Sequence, residues 1–240
     1  MTPPILTPDG TEVEEVILPD GSEASEVIAP DGTVVFDAIP AIPDSDDLHA
    51  RYDFSEYSTN ETSNIDDLSG NGHALDNGSI SGYTTLNGVQ AADFDGEDDA
   101  IWTSDFGSSD QVTVAFALDV EDPADEAHHV MQLNTEEASG GFRSLNSVEW
   151  YGESVSLDFD FRKVVAFYDD DNNEADIWLD GVDQDIRFSS SGDLSVLGIG
   201  SENPRTDRRY TEMSFGELLV YQQDKRDIVD DLFDYLDRWG

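Results

Sequence analysis

Between residues 48 and 221 apolar and polar positions alternate with a period of two in short runs, broken by clusters of Gly, Asn, Asp and Ser. That pattern predicts strands joined by turns. The cleanest run is Gln111 to Val120, where Val112, Val114, Phe116 and Leu118 share one face. The same reading gives a strand at Ala50 to Phe54 and a pair, Ala91 to Phe94 with Ala100 to Trp102, across the acidic turn Asp95 to Asp99. Strands at His129 to Leu133, Ser147 to Tyr151 and Val155 to Phe161 follow. A hairpin of Val164 to Tyr168 with Ala175 to Leu179, then Val196 to Gly200 and Met213 to Tyr221, complete the set. Near the C-terminus the period changes: Ile228, Leu232, Tyr235, Leu236 and Trp239 fall at helical spacing, with Asp224 as cap and Arg238 near the end. The expected fold is all-β, a two-sheet antiparallel sandwich with a short C-terminal helix over an edge or rim.

Residues 1 to 45 have a different rhythm. Pro8-Asp9-Gly10, Pro19-Asp20-Gly21 and Pro30-Asp31-Gly32 recur every 11 residues, each followed by an alternating, β-branched segment. Proline fixes φ and glycine accepts a positive φ, so each triplet is a turn. Three such units hold too few large apolar side chains for a core of their own, and repeats of this kind are stabilised by neighbours. The segment therefore reads as a stalk that anchors the chain and brings copies of it together, with residues 46 to 240 as the sandwich domain.

Four segments sharpen the fold. Asp67-Leu68-Ser69-Gly70-Asn71-Gly72-His73-Ala74-Leu75 is followed by Phe94-Asp95-Gly96-Glu97-Asp98-Asp99-Ala100-Ile101, then by Ile177-Trp178-Leu179-Asp180-Gly181 and Phe215-Gly216-Glu217-Leu218-Leu219-Val220-Tyr221. In this order they resemble the signature segments of the laminin-G-like, concanavalin-A-type jelly-roll family, from near Leu48 to Gly240. The resemblance implies two facing antiparallel sheets and a glycan- or protein-binding type of domain. Where the family has an Arg-x-Leu-Ser/Thr element before its last helix, this chain has Gln223-Asp224-Lys225-Arg226.

Charge changes the picture next. Asp and Glu number 55 against 11 Lys and Arg, a net charge of -44 and a pI near 4.1, and Lys163 and Lys225 are the only lysines. Such a chain repels nucleic acid. At molar salt the screening length falls to about 3 Å, so the composition suits a protein of concentrated brine. There is no cysteine, hence no disulfide and no thiolate metal site. No run approaches a membrane span, and MTPPILTPDG lacks the basic and apolar regions of a signal peptide. The expectation is a chain that does not pass through a membrane by itself, and that either stays inside the cell or leaves it by another route, such as lysis with an assembled particle.

Candidate chemistry is sparse. Concanavalin-A-type glycosidases place two glutamates around an aspartate on one strand face. The only counterpart is Glu174, Asp176, Trp178 and Asp180, where a tryptophan stands in the place of an acid. His128 and His129 are adjacent and would face opposite ways in a strand. No nucleophile elbow supports a serine triad. Arg205, Arg208 and Arg209 offer a grip for an anion or neutralise nearby acids. The expectation is therefore a protein without catalytic residues or a firm cofactor. Calcium is the candidate ligand, held by Asp95, Glu97, Asp98 and Asp99 or by the Asp66/Asp67 loop. The reading that joins these features is a structural virion protein of a halophilic virus, a capsid decoration, turret or tail-fibre part. Its stalk would bind other virion proteins and further copies of itself, and its sandwich would face host surface glycans. The alternative is a carbohydrate-binding module of a halophilic archaeal cell-surface protein.

Overall fold

The computed structural model describes residues 26–28, 34–37, 40–103, 106–107, 109–120, 128–132, 141–144, 147–150, 153–156, 162–169, 172, 174–184, 197–203 and 208–240. Contacts divide the chain into Met1–Ile42 and Pro43–Gly240. In the first unit Glu26–Ile28 and Val34–Asp37 pair antiparallel, with Val27 opposite Phe36. The three Pro-Asp-Gly triplets lie outside the described residues.

The second unit is a two-sheet antiparallel sandwich. One sheet runs in the order Val182–Asp183, Glu174–Leu179, Lys163–Asp169, Gln111–Val120, Glu212–Tyr221, Val89–Asp95, Gly82–Leu86. Its central strand Glu212–Tyr221 pairs along one edge with Gln111–Val120. Along the other edge it pairs first with Val89–Asp95 and then with Leu48–Asp53. The facing sheet runs Gly141–Ser144, His128–Gln132, Leu197–Ile199, Ala100–Thr103, Asn77–Ser79.

The alternation seen in the sequence explains why the sheets stack. Val112, Val114, Phe116 and Leu118 all enter the core between them. Phe215 sits at its centre, stacked on Phe116 at 5.8 Å and edge-on to Phe54 and Phe94. The opposite face of the same strand, Thr113, Ala115 and Ala117, is also buried. These small side chains leave room for the helix Val229–Leu236, which contacts Gln111–Val120 and Lys163–Asp169. Leu232, Tyr235, Leu236 and Trp239 are buried as their spacing requires, together with Val229 and Phe233. Asp224 accepts the backbone N–H of Arg226 at 3.0 Å and so shapes the turn that enters the helix.

One pairing differs from expectation. Val89–Asp95 and Ala100–Thr103 belong to different sheets, so Asp95 to Asp99 carries the chain from one layer to the other. Alternation tells which face of a strand is buried and says nothing of its partner. Phe94 and Ile101 both point into the core in either arrangement.

Between the outer sheet face and the helix lies a buried ionic network. Asp53 and Glu217 are wholly buried. Arg51 donates to Asp53 at 2.7 Å and to Glu217 at 3.0 Å, Arg238 reaches both acids, and the Tyr235 hydroxyl donates to Glu217 at 2.8 Å. Two cations and two carboxylates hold the helix in one position, where an unpaired buried charge would be costly, and Arg238 Nε is the one buried nitrogen of the group left without a hydrogen bond. Gly216 is needed beside them, since a Cβ there would lie 2.5 Å from Cε3 of Trp239.

Candidate functional site

Two rim segments carry the polar chemistry that the sequence singled out. In the first, Asp67 organises a loop by accepting five hydrogen bonds. Its Oδ1 takes the N–H of Arg51 at 3.0 Å and of Ser69 at 2.9 Å. Its Oδ2 takes the Ser69 hydroxyl at 2.9 Å and the N–H groups of Gly72 and His73 at 3.1 Å. Burial pushes the Asp67 carboxyl up, but the hydrogen bonds from Ser69, Arg51 and His73 outweigh it and hold the group below the ordinary carboxylate range. Gly70 and Gly72, at φ 85° and 88°, supply the left-handed backbone that wraps the N–H groups around one carboxylate. Asn71 donates to the carbonyls of Leu48 and His49, and the Tyr52 hydroxyl donates to the carbonyl of His73. The rings of His49 and His73 stand 4.1 Å apart beside Phe106, whose carbonyl is 2.7 Å from Nε2 of His49. Burial lowers the His49 pKa, the Phe106 carbonyl opposing it.

The second segment is the acidic crossover. Asp95, Asp98 and Asp99 bring carboxylate oxygens within 4.8 Å of one another, a group that offers ligands to a metal ion. Glu97, the fourth residue expected there, is not in this group. Asp99 is buried and its Oδ2 accepts the N–H groups of Ser81 at 2.8 Å and Asp95 at 2.9 Å. Asp95 accepts the N–H groups of Glu97 and Asp98, and the backbone bond from Glu97 is the main reason that its carboxyl lies below the usual range. Burial, then Asp99 and Asp95 as like charges, pushes the nearby Asp93 up. Neither Ser81 nor Asp93 was expected at this site. Ser81 lies in a loop remote in sequence, and Asp93 sits at an ordinary strand position.

The strand that was compared with a glycosidase motif does place Glu174, Asp176 and Trp178 on one face, alternate to the core residues Ala175, Ile177 and Leu179. Both acids there are tied to Arg226, at 3.3 Å from Glu174 and 2.9 Å from Asp176, and the guanidinium stacks 4.1 Å from the Phe167 ring. Asp180 makes the turn, at φ 46°, and accepts the N–H groups of Arg162 and Lys163. The side chains of His128, His129, Arg205, Arg208 and Arg209 fall outside the described residues.

No family model matches the chain, and no curated protein sequence matches it. Solved structures do. A Trypanosoma rangeli sialidase in complex with the inhibitor DANA is 11% identical with a TM-score of 0.55, covering 90% of this chain and 35% of the sialidase. Domain 4 of AbnA, an extracellular arabinanase from Geobacillus stearothermophilus in complex with arabinotriose, is 15% identical with a TM-score of 0.51, covering 78% of this chain and 97% of that domain. The receptor-binding domain of a botulinum neurotoxin C/D mosaic serotype is 10% identical with a TM-score of 0.54, covering 82% of this chain and 55% of that one. At such identity the likeness establishes the β-sandwich fold, and this chain spans about a third of the sialidase chains.

The expectation of a protein without catalytic function is corrected by this finding. Sialidases and a domain of an arabinanase share the fold, so the architecture occurs within enzymes that act on glycans. The sequence argument against catalysis tested one strand, Glu174 to Asp180, for paired acids, and beyond it only the adjacent His128 and His129, a nucleophile elbow and the Arg205, Arg208 and Arg209 cluster. Loops and other strands of a sandwich can carry reacting groups as well.

Proposed function

We propose that Pro43–Gly240 is a glycan-binding sandwich displayed by a structural component of a virion, with the N-terminal repeats as its anchor and oligomerising stalk. The observation that carries the binding reading is the arabinanase domain held with arabinotriose. It is covered over 97% of its length by this chain, so a sandwich of this size suffices there as a separate sugar-holding domain. The virion reading is supported by the repeat of Pro-Asp-Gly turns at an 11-residue spacing, too poor in apolar side chains to stand alone. The net charge of -44 supports a halophilic host. Asp95, Asp98 and Asp99 would take calcium, a hard cation that prefers carboxylate and carbonyl oxygens.

A second reading is favoured by the same neighbour being one domain of a larger extracellular enzyme. On that reading this sandwich is a carbohydrate-binding module of a cell-surface protein. Glycan-array binding of the full chain in molar salt tests the shared core of both readings, and absence of binding to every glycan refutes it. Immunogold labelling of purified particles separates them: label on particles supports the virion component, and label confined to cell envelopes supports the module.

A further inference from the structure

In a chain with 28% charged residues, Asn77 to Ala92 is the longest run without a single charged side chain. The fold puts that run on one flank of the sandwich. Asn77–Ser79 is the last strand of the five-stranded sheet, and Gly82–Leu86, joined to it through Ile80 and Ser81, is the last strand of the facing sheet. The edge strands of the other flank, Val182–Asp183 and Gly141–Ser144, carry Asp183 and Arg143. Natural sheet edges are blunted by charge, proline or a bulge, because unpaired backbone groups are a template for another strand. Gly82–Leu86 has none of the three.

The phase of the hairpin decides which groups are free. Asn87 and Gly88, at φ 48° and 80°, form a two-residue left-handed turn, so Leu86 and Val89 exchange both backbone hydrogen bonds, as do Thr84 with Ala91 and Gly82 with Asp93. Tyr83 and Thr85 therefore turn their N–H and C=O groups away from Val89–Asp95, the only strand paired with Gly82–Leu86 among the described residues. Thr85 is exposed and Thr84 half-buried. Tyr83 fixes the strand, since its ring packs against the core and its hydroxyl donates to the Glu61 carbonyl at 2.6 Å.

We propose that Gly82–Leu86 pairs antiparallel with the same strand of a second copy, about a two-fold axis at Thr84. In that register Tyr83 faces Thr85 of the second copy, the outward N–H and C=O groups of both are taken, and Thr84 faces its own equivalent. The occupant follows from charge. Two chains of -44 approach closest where carboxylates are absent, and a neutral, self-complementary strand suits a copy of itself. Asp76 and Asp93 border the run, so the contact needs salt to screen them. One pair of short strands is marginal by itself. The contact therefore rests on the reading of the N-terminal repeats as an oligomerising stalk, which raises the concentration of sandwiches around one another.

The chain has no cysteine, so one placed at Thr84 reports on this contact alone. Residues that face each other without hydrogen bonds in an antiparallel pair have Cα atoms about 4.5 Å apart, within disulfide range. The full chain with Thr84→Cys is oxidised in molar KCl beside Val182→Cys, which is exposed on the opposite flank, and amide exchange at Tyr83 and Thr85 is followed in the unaltered chain. Disulfide-linked dimer should form at least about tenfold faster from Thr84→Cys than from Val182→Cys, as pairing holds the two thiols together. Both amides should exchange slowly in molar KCl. Thr84→Asp sets two carboxylates face to face and should restore fast exchange while light scattering still shows the assembly made by the stalk. Exchange in the unaltered chain keeps the test decisive even where a variant does not fold. An assembled chain with equal cross-linking at both positions and fast exchange overturns the edge contact and leaves the stalk standing. Slow exchange without a Thr84 cross-link overturns the second copy and hands the edge to another segment. A full chain that stays monomeric in molar KCl overturns both readings.

Discussion

Replacing Asp67 by alanine removes a single carboxylate that serves five donors, four of them backbone N–H groups. A hydrogen bond to a charged group is worth about 1.5–3 kcal/mol, but water can reach part of this half-buried loop and satisfy some donors, so the net loss is set at about 3–4 kcal/mol. That is a large fraction of the roughly 5–15 kcal/mol that holds a typical domain together. For a domain of this size it lowers the melting temperature by about 6–15 °C. Urea denaturation and calorimetry at fixed KCl measure the difference. Its pH dependence carries the diagnostic sign. The folded Asp67 carboxyl lies below its ordinary value, so its contribution is complete above an unfolded pKa near 3.9 and is lost as pH falls through the folded value. The gap between wild type and Asp67→Ala should be constant above about pH 5 and narrow below pH 4. A variant that melts with the wild type at neutral pH refutes the assignment, as does a gap that persists undiminished into strong acid.

Gly216→Ala should cost about 1–3 kcal/mol by driving a methyl into the Trp239 ring, and Gly216→Ala with Trp239→Leu should recover part of that loss in thermal melting. Calcium titrated by calorimetry into the metal-free chain should bind in a way that Asp99→Asn and Asp95→Asn weaken and Glu97→Gln leaves nearly intact; equal binding by all three variants places calcium elsewhere. A chain beginning at Pro40 should remain folded and monomeric by light scattering in high salt while the full chain assembles, and equal assembly by both would reduce the repeats to a linker. The start is set at Pro40 because Lys225 pairs with Asp44 and Asp47, and the Tyr221 hydroxyl donates to the Pro43 carbonyl. The melting temperature of the full chain should rise from low to molar KCl, and a flat profile removes the argument from charge.

The sandwich was legible because two signals agree: large apolar residues at every second position of Gln111–Val120, and four segments in family order. What alternation could not give is the pairing of strands, and so the Asp95 to Asp99 segment reads as a hairpin turn when it is a crossover between sheets. Nor could it reveal the second buried layer. Thr113, Ala115 and Ala117 lack the large apolar side chains that mark a buried face, yet their small size is what admits the helix. The network of Arg51, Asp53, Glu217 and Arg238 joins residues far apart in the chain, and no local pattern marks a charged residue as wholly buried. Of the four expected metal ligands, three converge because the turn hydrogen bonds within itself, whereas Glu97 falls outside the group.

The scarcity of cations acquires a structural meaning once their partners are known. Lys225, buried, holds Asp44 and Asp47 where the chain enters the sandwich. Lys163 pairs with Asp237 beyond the helix, Arg226 clamps Asp176 to the helix entry, and Arg51 and Arg238 dock the helix through Asp53 and Glu217. The positive charges with described side chains thus tie elements together, leaving most carboxylates without a countercharge in the protein. These two populations respond differently to salt. Repulsion among exposed carboxylates is relieved as the screening length falls from about 10 Å at 0.1 M to about 3 Å at 1 M, whereas pairs out of solvent are screened far less. Salt therefore removes a destabilising term and spares the buried pairs of Arg51 and Arg238 with Asp53 and Glu217, which is why stability should rise with ionic strength in a protein whose helix is docked by them.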